Sequence, residues 1–219
     1  MPHITRNTLF AALGVGSVVI ELAGVGIGAL GNRAFVTITS PPADVRAAFA
    51  KQVGTAAWAG AYLEVLSVGM FLAFAIWASV RLGGGLLGSI AAGAAVAYTA
   101  VTTTALAIGD TLSYRSGHGI DLQLATTLTV LNEAVFVATW FLAAFFLLAV
   151  APMAISAGRR VIGWSAVAVT VAILVTSAVS LDNLGQMSNM LWLLWIAGTS
   201  VALARIPAEE HATVEVALA

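Results

Sequence analysis

The sequence contains no cysteine. That excludes disulfide staples, thiolate metal sites and thiol redox chemistry. Charge is scarce as well: Asp, Glu, Lys and Arg make up 9% of the 219 residues, where a soluble domain carries about 25%. The only lysine is Lys51. The three histidines, His3, His118 and His211, all lie outside the apolar runs. An intramembrane bis-histidine haem is thereby excluded, and no other cofactor is implied. Nine basic and ten acidic residues nearly cancel, so no nucleic-acid partner is implied.

What is present is apolar: 60% of the chain is hydrophobic. A soluble protein of this size has too little interior to hide so much apolar surface. The composition predicts an all-α, polytopic integral membrane protein. A helix crossing the hydrocarbon core needs about 20 apolar residues. Segments 8–31, 55–80, 86–109, 122–150, 160–181 and 187–205 qualify, giving a bundle of six spans within residues 1–206. The first span is too long for a signal peptide and has no small-residue cleavage site close behind it. A short polar tail, 207–219, follows.

The breaks between spans carry turn residues. Ser40-Pro41-Pro42 ends the first connection, and Ala43 to Gly54 reads as a short interfacial helix capped by Asp44. Gly83-Gly84-Gly85 separates spans two and three, and Ser116-Gly117-His118-Gly119 separates three and four. Pro152 with Gly158-Arg159-Arg160 separates four and five, and a tight turn from Asp182 to Gln186 precedes span six. The Arg159-Arg160 pair votes for the cytoplasmic side, which places both termini inside.

Ionisable residues within a span cost about 2.5–3.5 kcal/mol each on insertion scales, so each is a functional candidate. Three lie deep: Glu21, Glu64 and Glu133. Glu21 precedes the end of span one at Asn32 by eleven residues. Glu64 follows Thr55 by nine, and Glu133 follows Leu122 by eleven. At 1.5 Å per residue all three sit about 14–17 Å below one surface. Gly14, Ser17, Gly24 and Gly28 share the helical face of Glu21; Ala57, Gly60, Ala61 and Ser67 share that of Glu64. Small residues let helices approach closely in lipid, so these faces are expected to point inward. Thr126, Thr129, Phe136 and Trp140 accompany Glu133, and Thr99, Thr103 and Asp110 form a stripe on span three. Asp110, Asp121, Asp182, Arg115 and His118 gather towards the surface that the glutamates approach. No Lys or Arg lies mid-span to pair with the glutamates, so they are expected to hold protons or a bound cation.

The expected site is a polar pocket opening on one side, with Glu21, Glu64, Glu133, Trp58, Tyr62, Thr103, Asp110 and Trp140 as ligand-binding residues. Trp192, Trp195 and Trp164 read as packing or interfacial anchors. Gly24-x-x-x-Gly28 and Gly84-x-x-x-Gly88 are candidates for a homo-oligomer interface. Spans one and two share an echo, Glu21-Leu-Ala-Gly-Val-Gly against Glu64-Val-Leu-Ser-Val-Gly.

Gly60-Ala-Tyr-Leu-Glu64 opening the second span and Arg160-Val-Ile-Gly-Trp164 opening the fifth resemble a widespread bacterial family. It comprises small multi-pass membrane proteins known only as a domain of unknown function. The resemblance covers spans two to six and implies a fold rather than an activity. The chain departs from it in lacking the Arg and Glu of the family's third span, and in having Pro152 displaced towards the fourth. An alanine- and valine-rich, lysine-poor composition fits a high-GC bacterium, and the expected location is its plasma membrane.

Three functions fit these residues. The first is binding or transport of a proton, a metal cation or a cationic or amphipathic small molecule by the carboxylates. The second is a membrane-embedded enzyme acting on a lipid or isoprenoid, for example in terpene cyclisation. There Glu64, Glu133 or Glu21 would donate the proton and aromatic faces would steady a carbocation. The third is a non-catalytic accessory subunit whose polar residues fix helix packing.

Overall fold

The structure is a computed structural model that describes residues 6–31, 36, 40–179 and 184–206. Asn32, Asp182, His3, His211 and the tail 207–219 lie outside the described residues. Seven helices make up the described fold: α1 (Arg6–Leu30), α2 (Pro42–Phe49), α3 (Thr55–Arg81), α4 (Gly85–Arg115), α5 (Leu122–Ser156), α6 (Arg160–Val179) and α7 (Leu184–Ala204).

Five of them, α1 and α3 to α6, are long and apolar enough to cross a membrane. The sixth expected span coincides with α7, whose described apolar stretch, Ser188–Ala204, is shorter than the other five. Large apolar side chains cover the outside of the bundle: Leu30, Leu86, Val161 and Leu194 are each more than two-thirds exposed. In water this surface would be a severe liability; in hydrocarbon it is the solvated face.

Two boundaries differ from the sequence expectation. The interfacial helix is only eight residues long, and its N-cap is Pro41, with no side-chain cap. Asp44 stands in the first helical turn instead, where its charge meets the positive end of the helix dipole. Pro42 occupies the start of the helix, where a missing N–H costs nothing. Pro152 does not end the fourth span: α5 runs through it to Ser156. Tight packing of Ala151, Met153 and Ala154 against neighbours holds the helix together across the missing hydrogen bond. The glycine turn behaves as expected. Gly83, Gly84 and Gly85 have φ of 128°, 57° and 64°, a run that L side chains adopt only with strain.

The helices form a closed ring. Each of α3 to α6 packs on the next in sequence, while α1 packs on α3 and α7 to close the circle. At the end that holds the start of α1, Gly14 faces Ser200 of α7. At the same end Arg81 donates from its guanidinium to the Ile206 carbonyl at 2.8 Å. The start of α1 and the end of α7 therefore share one side of the bundle.

The opposite end is built by α2 and the α4–α5 connection. Gly117 N donates to Phe49 O at 2.9 Å, and Ser116 Oγ donates to Lys51 O at 2.5 Å. Val45 and Phe49 of α2 then pack on Leu112 and Ala125.

Aromatic side chains plug the ring towards the Arg81 end. Phe71 meets Tyr98 at 5.1 Å and Trp192 at 5.3 Å between ring centroids. Phe146 meets Trp192 edge-on at 5.9 Å, and Trp192 stacks on Trp195 at 5.9 Å and 4°. Trp192 and Trp195 are thus core residues, whereas Trp164 is 62% exposed.

Candidate functional site

The α1–α3 seam positions the carboxylates. The two helices run antiparallel in a register that sets Gly14 against Phe74, Glu21 against Ser67, and Gly24 against Glu64. The same register continues with Gly28 against Gly60 and Gly31 against Ala57. On this side of the seam Gly14, Glu21, Gly24, Gly28 and Gly31 follow one another at steps of seven, three, four and three, the 3.5-residue period of a supercoiled pair. Backbone meets backbone at Gly60: a Cβ there would lie 2.5 Å from Gly24 O and 2.6 Å from Gly28 N. Gly24-x-x-x-Gly28 is therefore consumed inside the chain rather than offered to a second copy. Gly88 likewise faces Ser79 and Met153 of its own chain.

This register explains the echo between the two spans. Each glutamate lies opposite the small residue that follows the other glutamate by three positions. Glu21 accepts a hydrogen bond of 2.5 Å from Ser67 Oγ, three residues after Glu64. Glu64 lies over Gly24, three residues after Glu21, with its Cγ 3.0 Å from where a Gly24 Cβ would stand. The pair is locally two-fold symmetric, and the two carboxylates enter the seam about 5 Å apart in depth, one helical step of three residues. Glu64 is 5% exposed and Ser67 3%, while Glu21 is half-buried.

Tyr98 and Thr102 of α4 line the inner side of this pair. Tyr98 hydrogen-bonds with the Trp192 side chain, and Glu21 is near enough for its charge to act on the phenol. The Thr102 hydroxyl lies beside the same phenol, in a residue that is 7% exposed. Thr102, not Thr103, is thus the inward threonine of α4. Thr103 is exposed and donates to Thr99 O at 2.8 Å. Reading the stripe from Ala91, Ala95 and Ala105, all at most 1% exposed, would have found Thr102. Those small residues mark the packed face more reliably than the threonines do.

The other expected site residues are spread around the ring. Glu133 is half-buried on α5, which packs on α4, α6 and α2 rather than joining the α1–α3 seam. Asn132 beside it carries a buried Oδ1 that has no hydrogen-bond partner. Trp140 packs on the aromatic core. Tyr62 is 73% exposed on the outer side of α3, so it does not flank Glu64 in space. Trp58 points to the α2 end, edge-on to Tyr114 at 6.5 Å, and Tyr114 stacks on His118. These three rings, with Gln52 and Ser113, line a cavity of about 390 Å³. A second cavity of about 410 Å³ opens beside it between α2 and the start of α5. Asp110 is half-buried near the end of α4, and Asp121 caps α5 by accepting from Leu124 N at 3.0 Å. Among the described residues no three acidic or histidine side chains gather into a group able to hold a metal ion. Set against known protein families, curated proteins and solved structures, the chain matches none.

Proposed function

We propose that the chain is a six-span protein of a bacterial plasma membrane that binds or transports a cation, the proton included, on Glu21 and Glu64. One observation carries this reading: two helices deliver a carboxylate each into a single small-residue seam. Intramembrane carboxylates mark proton relays and ion pathways. The seam also favours this reading over a terpene-cyclase-like enzyme, because Tyr62 and Trp58 diverge from Glu64 instead of walling it.

The sixth crossing is assigned to α7, a reading supported by the end of α7 lying beside the start of α1. Single cysteines test this in a chain that has none of its own. Ser116 is buried beneath α2, so exposed His118, Ala157 and Arg205 are the sites to use. Cysteines at Ala157 and Arg205 are expected to react with impermeant maleimide from one face of sealed vesicles, and a cysteine at His118 from the other. Reaction at Arg205 from the His118 face would remove the sixth crossing.

Carbodiimide tests the carboxylates. Dicyclohexylcarbodiimide enters the bilayer and adds to carboxyl groups that carry a proton in apolar surroundings. The intact protein is expected to gain an adduct on Glu21 or Glu64 by mass spectrometry, and the matching Glu→Gln variant to lose it. Absence of an adduct on both would overturn the assignment.

A further inference from the structure

We propose that Glu21 holds a proton in this structure and donates it to Ser67, so that the cation of the seam is a proton and Ser67 positions it. The inference rests on the carboxylate reading above and adds to it the identity of the cation and a positioning residue.

Hydrogens can be counted at Ser67. A serine hydroxyl has one hydrogen to give and two lone pairs with which to accept. Ser67 Oγ lies 2.7 Å from the Glu64 carbonyl oxygen and 2.5 Å from Glu21 Oε2. The carbonyl can only accept. An ionised Glu21 could only accept as well, whereas a protonated one gives the 2.5 Å bond instead. A hydrogen in so short a bond lies near the line between its two oxygens, so the serine hydrogen serves one neighbour and leaves the other without any. Ser67 is buried, and the neighbour placed to supply the second hydrogen is Glu21. With that hydrogen in place the bonds run in one direction, from Glu21 Oε2 to Ser67 Oγ and from Ser67 Oγ to Glu64 O.

Buried serines elsewhere in the bundle show where such a hydrogen goes. Ser17 of α1, Ser79 of α3 and Ser200 of α7 donate to carbonyls of their own helices, at 2.8, 2.8 and 2.6 Å. This is the local bond that a serine makes within a helix. Ser67 makes it too, which commits its hydrogen and leaves its lone pairs to Glu21.

Spacing separates a proton from a metal ion. Oxygens on adjacent corners of a Mg²⁺ octahedron, each about 2.0–2.1 Å from the ion, stand about 2.9 Å apart. Glu21 Oε2 and Ser67 Oγ, at 2.5 Å, are closer than such neighbouring ligands. The same separation falls within the range of an O–H···O bond.

Ser67 keeps a bond to Glu21 in either state. When the proton leaves Glu21 for water, the carboxyl O–H bond breaks and a carboxylate remains. Rotation of the Ser67 hydroxyl then turns its own hydrogen from Glu64 O to Glu21 Oε2. Glu64 O retains the backbone bond of its helical turn. Reprotonation reverses the rotation, so α1 and α3 need not part for the proton to exchange.

Infrared difference spectra test the assignment, because a protonated carboxyl and a carboxylate absorb in separate bands. The full chain, Glu21→Gln and Ser67→Ala would be compared at neutral pH in one detergent. Glu21→Gln is expected to lose the C=O band of a protonated carboxyl. Ser67→Ala is expected to move that band to higher wavenumber or to abolish it, since the carboxyl proton has lost its acceptor. Loss of carboxylate bands in Glu21→Gln instead would overturn the proton on Glu21. A carboxyl band that Ser67→Ala leaves in place would overturn the role of Ser67. The carboxylate reading is judged apart from both, by the carbodiimide adduct and by uptake into proteoliposomes. An ionised Glu21 beside an adduct on Glu64 would leave that reading standing and remove this one. Native proton uptake by Glu21→Gln and Glu64→Gln would remove the carboxylate reading even where the Glu21 carboxyl band is present, and would reduce the Ser67 bond to packing.

Discussion

Gly60→Val is expected to separate α1 from α3 and to cost the protein most of its stability. A Cβ at this position would lie 2.5 to 2.7 Å from Gly24 O, Gly28 N and Gly28 Cα, all of them backbone atoms. Overpacking costs about 1–3 kcal/mol where side chains can give way. Here only movement of a whole helix relieves the clash, so the upper end, about 3 kcal/mol or more, is expected. Even Gly60→Ala meets the same atoms. Gly69, about two and a half turns along α3, has nothing within 4 Å of its would-be Cβ. Gly69→Ala is therefore expected to be neutral, or stabilising by up to about 1 kcal/mol through helix propensity. Melting curves of the two alanine variants in one detergent decide the matter. If Gly60→Ala melts with Gly69→Ala, the α1–α3 register is wrong, and the facing of Glu21 and Glu64 goes with it.

Glu64→Gln is expected to leave melting close to that of the native protein while lowering proton or cation uptake about a hundredfold or more, the scale of a lost acid–base group. Glutamine keeps the shape of glutamate and most of its hydrogen bonding, so it still fits over Gly24. It cannot exchange a proton in the carboxyl manner or carry the negative charge. Uptake is read from a pH-sensitive dye inside proteoliposomes under an imposed potential. Glu64→Leu adds the structural control: it strands whatever polar partner Glu64 has, so stability falls as well. A Glu64→Gln variant with native uptake would sink the chemical role of Glu64 and transfer it to Glu133 on α5. A variant that lost uptake only in proportion to its loss of folded protein would mark Glu64 as structural.

The small residues around Glu21 and Glu64 show how far the sequence could be read. Gly14, Ser17, Gly24 and Gly28 were expected to face inward, as were Ala57, Gly60, Ala61 and Ser67, and all eight are buried. Helical periodicity is local, so a face can be assigned without knowing what covers it. The partner of that face was not legible. Gly24-x-x-x-Gly28 suits a second copy as well as it suits α3, because the motif describes one surface and leaves the other open. Thr99, Thr103 and Asp110 show a different failure. They share a stripe, but a threonine can satisfy its hydroxyl on its own helix and face lipid, as Thr103 does. Polar stripes therefore fix a helix's rotation less firmly than small-residue stripes. Pro152 looks like a break because proline usually is one, yet α5 runs through it.

By itself the sequence determined the helical class, the long apolar segments and the rarity of charge inside them. Transfer into hydrocarbon is a sum over about 20 consecutive residues, so each segment settles its own fate. It also determined that three glutamates sit deep, since depth is a count along one helix. The tertiary structure decided which helices share a seam, that Glu21 meets Ser67 while Glu64 lies over Gly24, and that Glu133 belongs to another wall. It decided as well that Trp192 and Trp195 plug the ring instead of anchoring at an interface. In lipid no hydrophobic gain favours one helix pair over another, so the choice falls to close packing between surfaces far apart in the chain. That complementarity is a property of pairs of helices, and no single segment contains it.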